Sequence, residues 1–272
     1  MTIQWRPVYA VLEREVVRML RQRTRLVAAM VRPLIWLFVI GAGFGAVLGQ
    51  AGGVSYQQFL IPGVLGLTML FGAMLAALTM VYDKESGVMR MLIVAPFPHY
   101  WIVIAKMLAA ALAAVLQVLL LLILLAVLGL LGAETRVGLL ALGLIATALA
   151  CAGIGVLVAA FSRTLDNFAA IMNFVIFPVF FLSGSLYPVS QLPAILKAVS
   201  LANPYTYGVD LLKHATLGVL PSGMGADFPV WIDLAVLAGF TSAALLVASW
   251  RFSRERAYGP MIRTLAGKRG GE

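Results

Sequence analysis

WIVIAKMLAAALAAVLQVLLLLILLAVLGLL, residues 101–131, holds a single ionisable side chain, Lys106. A bilayer core about 30 Å thick takes roughly 20 apolar residues at about 1.5 Å of rise each, so this run predicts a membrane-crossing helix. Its excess length is expected to extend into the interface, where Lys106 snorkels toward the headgroups. Five further apolar segments lie on either side, at 33–49, 58–82, 137–161, 168–187 and 229–250. The whole chain has 272 residues, of which 62% are hydrophobic and 11% charged. Its mean hydropathy is +1.00. Six spans and their connections use up that length and leave no room for a large soluble catalytic domain.

The basic residues set the topology. Seven arginines precede the first span, residues 83–106 hold three Lys or Arg, Arg163 adds one and residues 251–272 add six. Only Arg136, Lys197 and Lys213 fall on the other side, so both termini are expected in the cytoplasm. The net charge of +9 is thus read as an orientation signal, and nucleic acid is not an expected partner. Seven arginines before an apolar run that begins near Pro33 argue against a cleaved signal peptide. The lone Cys151 excludes an intrachain disulfide and a multi-cysteine zinc site.

Two segments do not read as spans. Over residues 5–25, Trp5, Val8, Tyr9, Leu12, Val16, Met19 and Leu20 recur at helical spacing, while Arg14, Arg18, Arg21 and Arg25 take another face. This predicts an amphipathic helix lying in the interface, with its arginines among anionic headgroups or against a cytoplasmic partner. Residues 188–228 are too polar to span and too apolar for an ordinary loop. Helical periodicity there is broken at Pro193 and at Asn203-Pro204, which predicts two short helices dipping back into the membrane.

Catalytic signatures are missing. The chain has no GxxxxGK[ST] loop and no HExxH pair, and no GxSxG elbow surrounds Ser183 or Ser185 to recruit His214. Lys106 and Asp233 fall near the ends of spans, and the deeper polar residues Gln117, Thr147 and Asn173 are neutral, so a proton relay is not expected. The connection VYDKESGVMRMLIVAPFPHYW, residues 81–101, is more informative. Gly87 permits a sharp change of direction, Met89, Met91, Leu92 and Val94 offer apolar contacts, and Pro96 and Pro98 stop a helix. A short surface helix over 83–98 is expected, able to move as a unit under force.

Three blocks together resemble the transmembrane subunit of type-2 ABC exporters: the basic arm, ESGVMRMLIVAP at 85–96, and FLSGSLYPVSQLPAILKAVSLANPYTYGVDLLKHATLG at 181–218. The resemblance covers essentially the whole chain. It implies an all-α integral membrane protein of the bacterial inner membrane, a single domain over 1–272, in which 251–272 form a basic cytoplasmic tail. It also implies a second permease subunit, with a homodimer expected, and a separate ATP-binding subunit that carries ATP and magnesium; no cofactor or metal is expected on this chain. Asp83, Glu85, Gly87, Met91, Leu92 and Pro96 fall on the connection that couples to the ATPase, with Arg14, Arg18 and Arg21 on the interface helix. Ser183, Gly184, Pro188, Pro193, Asn203, Pro204, Tyr207 and Asp210 fall on the external segment. The family's usual basic-acidic order before the coupling glycine is here Asp83-Lys84-Glu85, which leaves the ion-pair partners open.

Two stripes keep alternative readings. Gly41, Gly45 and Gly49 line one face of the first span and suit either intrachain packing or a subunit seam. Asn173, Phe174, Phe177, Phe180 and Phe181 recur at helical spacing on the fifth span and suit either packing or an amphipathic substrate. The expected cargo is a hydrophobic or amphipathic drug-like molecule. A lipid or lipid-linked glycan, or carriage driven by an ion gradient, are the alternatives.

Overall fold

The structure, a computed structural model, describes residues 9, 10, 12–14, 16, 17, 21, 31, 33–48, 50, 51, 54–87, 100–132, 135–217 and 225–269. A π-helical turn, Trp36–Ile40, leads into α1 (Gly41–Leu48). A two-residue hairpin follows, β1 (Gln50–Ala51) against β2 (Val54–Ser55), antiparallel with Gln50 opposite Ser55. Then come α2 (Tyr56–Glu85), α3 (Tyr100–Val127), α4 (Val137–Phe161) and α5 (Leu165–Phe181). A 3-10 turn at Val189–Gln191 precedes α6 (Ala194–Ala202), α7 (Pro204–Thr216) and α8 (Val230–Arg269).

Among the described residues, four helices are long and apolar enough to cross a membrane: α2, α3, α4 and the Val230–Phe252 part of α8. The expected first and fifth spans are shorter apolar helices, Pro33–Ala46 and Leu165–Phe181. At 1.5 Å per residue α5 is roughly 26 Å long, at the lower end of what a bilayer core requires. It stops at Phe181 rather than at 187, because Gly184 adopts φ +75 and turns the chain away from the helical path. On α8, Trp231 and Trp250 are both exposed and stand roughly 29 Å apart along the axis, the spacing of the two aromatic belts of a bilayer.

α2 is the central element. Ser55 and Gln58 close a capping box at its start, each side chain bonded to the other's amide. Most of its length is buried against α3, α4, α5 and α7. Small residues let these helices approach closely. A Cβ added at Gly155 of α4 would lie 2.9 Å from Ala77 Cβ, and one at Gly72 would meet Gln117 Oε1 at 2.5 Å. Gly41 faces Gln57 and Leu60 of α2, whereas a Cβ at Gly45 would meet nothing within 4 Å; Gly49 lies outside the described residues.

Two expectations change. Lys106 does not snorkel: it is 3% exposed and turned into the bundle. Asp83 and Glu85 form the last turn of α2 instead of opening a separate helix over 83–98, whose residues 88–98 lie outside the described set. From 251 the backbone of α8 continues as helix to Arg269.

Candidate functional site

Two polar clusters sit at the ends of the bundle. The first is built by Asp83, Lys84 and Glu85. Successive helical residues point about 100° apart, so the three side chains reach different neighbours. Asp83 forms an ion pair with Lys106 of α3 and accepts a 3.0 Å bond from Arg14 of the arm. Lys106 also donates to Thr79 Oγ1 at 3.4 Å. Lys84 caps the end of α4, where its Nζ donates to the carbonyls of Ala159 (3.0 Å), Ala160 (3.2 Å) and Ser162 (3.4 Å). The same ammonium stands 4.7 Å from the ring centre of Phe252 on α8. Glu85 Oε1 accepts the Leu165 amide at 2.9 Å, a carboxylate placed at the positive N-terminal end of α5. Gly87 follows at φ +75 with open space around it, which ends α2 and redirects the chain.

This arrangement joins the end of α2 to α3, α4, α5, α8 and the arm. It answers the question of partners left open by the Asp83-Lys84-Glu85 order. Arg21 is helical and exposed, and Arg14 is the arm's link to Asp83. Arg18, Met91, Leu92 and Pro96 lie outside the described residues.

The second cluster is made by the 181–228 segment. Ser183 and Ser185 are buried, their hydroxyls 2.6 Å apart, and Ser183 donates to Phe180 O. Gly184 is hemmed in, for a Cβ there would sit 2.7 Å from Val189 Cγ2. Pro188 and Pro193 precede the 3-10 turn and α6, and Pro204 occupies the first turn of α7, positions where a missing amide proton costs nothing. Asn203 caps α7 by accepting the Tyr205 amide at 3.1 Å, while its Nδ2 donates to Val179 O at 2.8 Å. One side chain thereby starts α7 and holds it to α5. Asn203→Ala is expected to lower stability by about 1–2 kcal/mol, measured as a fall in thermal midpoint of the purified chain. Tyr207 donates its hydroxyl to Leu201 O at 2.9 Å, folding α7 back onto α6.

Asp210 is 2% exposed and accepts two amides, Asp227 at 2.7 Å and Phe228 at 2.9 Å. Burial pushes its carboxyl above the usual carboxylate range, against the opposing pull of those amides and of Lys213. Asp227 in turn accepts the amides of Val189 and Ser190 and pairs with Lys213 Nζ at 3.5 Å. The two carboxylates therefore fasten the 225–228 chain between α7 and the 3-10 turn.

Of the aromatic stripe, Asn173, Phe174, Phe177 and Phe181 lie on exposed faces of α5, with Phe174 79% exposed, whereas Phe180 is buried edge-on against Trp36. The stripe thus divides into an outward face and one packing residue. Lys106, Lys213, Asp227 and Asp233 were not singled out as site residues from the sequence. Their signal is the one that applies to any charge in an apolar segment: it requires a partner.

The sequence matches the ABC-2 type transporter family model over residues 6–217. It is 32% identical over 196 residues to Nodulation protein J of Rhizobium leguminosarum bv. trifolii, covering 71% of this chain and 74% of that one. Nodulation protein J of Rhizobium meliloti strain 1021 is 29% identical over 218 residues, 79% and 82% of the two chains. The Inner membrane transport permease YadH of Escherichia coli K12 is 24% identical over 249 residues, 91% and 94% of the two. The family match takes in the arm, the end of α2 and the Asn203–Asp210 region. This chain belongs to the ABC-2 type transporter family of membrane transport proteins.

Proposed function

We propose that this chain is the membrane-spanning permease subunit of an ATP-driven exporter that moves a hydrophobic or amphipathic molecule outward across a bacterial inner membrane. It acts as one domain with six spans and both termini in the cytoplasm, beside a second copy of itself and surrounded by lipid. ATP and magnesium are bound by a separate subunit, and this chain has no ATPase site of its own. The observation that carries the reading is the three-way attachment of Asp83, Lys84 and Glu85. A push on the connection after Glu85 is delivered at once to α2, α3, the end of α4 and the start of α5, since packed helices move as units. The arm joins the same point through Arg14, which supports its role beside the ATPase. A lipid or lipid-linked glycan is the alternative cargo.

The test uses proteoliposomes containing this chain and the P-loop protein that copurifies with it. Glu85→Ala removes the acceptor of the Leu165 amide, and Gly87→Pro imposes φ near −65° where the chain holds +75. Both variants are expected to insert normally while losing most substrate-stimulated ATP hydrolysis. Unaltered turnover in both would remove the coupling assignment. Transport that persists without ATP hydrolysis but collapses with the ion gradient would replace the exporter by a gradient-driven carrier.

A further inference from the structure

The second half of α7 and the first turn of α8 bring three side chains together. Asp210 and His214 stand one turn apart on α7, and Asp233 faces them from α8. His214 Nε2 is 4.0 Å from Asp210 Oδ2 and 3.9 Å from Asp233 Oδ2, and the three donor atoms all lie within 4.8 Å of one another. Asp233 is 0% exposed, and among the described residues neither of its carboxylate oxygens has a hydrogen-bond donor. Sealing an unpartnered carboxylate into a protein interior costs several kcal/mol. Its described neighbours relieve that cost only in part, His214 Nε2 standing 3.9 Å from Oδ2. Asp210 is itself acidic, and the nearby ammonium of Lys213 is engaged by Asp227 and by the face of Phe59.

We infer that Asp210, His214 and Asp233 form a binding site for a divalent metal ion of the zinc type, which ties the re-entrant helix α7 to the last span. The donor set is one imidazole nitrogen and two carboxylate oxygens, a combination that suits zinc. Donors on a tetrahedral zinc stand roughly 3.3 Å apart with bonds of about 2.0–2.1 Å, so His214 needs to approach each carboxylate by about 0.6–0.7 Å, and the widest pair of donors to close by up to about 1.5 Å. The Phe228 carbonyl, 2.7 Å from His214 Nε2, accepts the hydrogen bond that holds the imidazole beside the two carboxylates and that the ion displaces. The ion replaces the proton on Nε2, and the neutral imidazole carries its proton on Nδ1 instead. Asp210 is already oriented by the amides of Asp227 and Phe228, which fix the direction of its carboxylate. Two carboxylates against one dication leave the trio of Asp210, Asp233 and the quarter-exposed His214 neutral.

This site was not legible as a motif. His214 and Asp210 share the i, i+4 spacing of a ligand pair on a helix, but the third ligand comes from beyond a connection and from the start of another span.

The test titrates zinc chloride into the purified full-length chain in lipid nanodiscs after chelator treatment, read by isothermal calorimetry and by thermal unfolding. Wild type is expected to bind about one zinc per chain and to gain thermal stability from it. His214→Gln and Asp233→Asn are expected to weaken binding by roughly tenfold or more and to lose that gain. Both variants are checked first for an unchanged elution profile. Should either variant fail to fold, cobalt substitution in the wild type decides the matter. The intense visible bands of tetrahedral cobalt, abolished by zinc, support the site, and the weak spectrum of free aqueous cobalt overturns it. Failure of the wild type to bind zinc, or equal binding by wild type and folded variants, also overturns it. A folded Asp233→Asn variant more stable than wild type at every zinc concentration would assign the carboxylate to a bound proton instead.

Discussion

Asp83→Ala is expected to destabilise the protein by about 3–5 kcal/mol, because it takes from a buried ammonium the carboxylate with which it is paired. Both partners are sealed, with side-chain exposures of 4% for Asp83 and 3% for Lys106. Thr79 adds a bond to Lys106 at 3.4 Å, weaker than the ion pair with Asp83. The third member, Arg14, is 43% exposed, and its share is that of a solvent-screened pair, about 0–1 kcal/mol. Arg14→Ala should therefore produce a small, salt-sensitive change, and Asp83→Ala a large one that salt hardly alters. The double substitution Asp83→Leu with Lys106→Met removes both charges and is expected to recover most of the loss, since replacing a buried pair with apolar residues is often close to neutral. Thermal unfolding of the four purified proteins in one detergent at two salt concentrations checks all of this. Equal midpoints for wild type and Asp83→Ala would refute the burial argument.

Gly63→Ala is expected to cost about 1–3 kcal/mol and to loosen the 181–218 segment from α2. The added Cβ would lie 2.7 Å from Ser185 Cβ, 2.8 Å from Ser185 O and 3.0 Å from Ser185 Cα. Two of those atoms are backbone and cannot rotate away. Ser185 is further fixed by the left-handed turn at Gly184 and by its hydroxyl contact with Ser183. The nearby Tyr56 hydroxyl, which donates to Leu186 O at 3.1 Å, would be displaced with it. Gly43→Ala supplies the control, because a Cβ there meets nothing within 4 Å and alanine is the better helix former. Limited proteolysis within 186–203, together with the thermal midpoint, distinguishes the two. Indistinguishable behaviour of the variants would show that the α2 seam has slack.

The apolar spans were readable because each depends on a local property, a run of residues that avoids water. The segment expected at 137–161 coincides with α4 at both ends. The breaks at Pro193 and Asn203-Pro204 likewise mark the starts of α6 and α7, since proline and an N-capping side chain act on their own backbone. What remained hidden were pairings between distant elements. Lys106 reads as a residue near a span end, and only the fold shows that Asp83 lies beside it, so the expected snorkelling gives way to an inward ion pair. Lys84 and Glu85 read as loop charges until the ends of α4 and α5 are seen to supply carbonyls and an amide. The same holds for Asp233, whose distance from Asp210 in sequence conceals their proximity.

The three attachments at the end of α2 also restrict how the bundle can move. Asp83, Lys84 and Glu85 fan across about 200° of the helix circumference. Any rotation of α2 about its own axis would break the bonds to α3, α4 and α5 together, while a tilt or slide of the four as a block keeps them all. The conformational freedom of a working cycle is thereby steered away from twisting this helix. It falls to the pieces that the fan does not touch: α1, which meets α2 along one face through Gly41, and the short helices α6 and α7 at the opposite end. Hinges in this protein belong at the junctions of those pieces with an otherwise irrotational shaft.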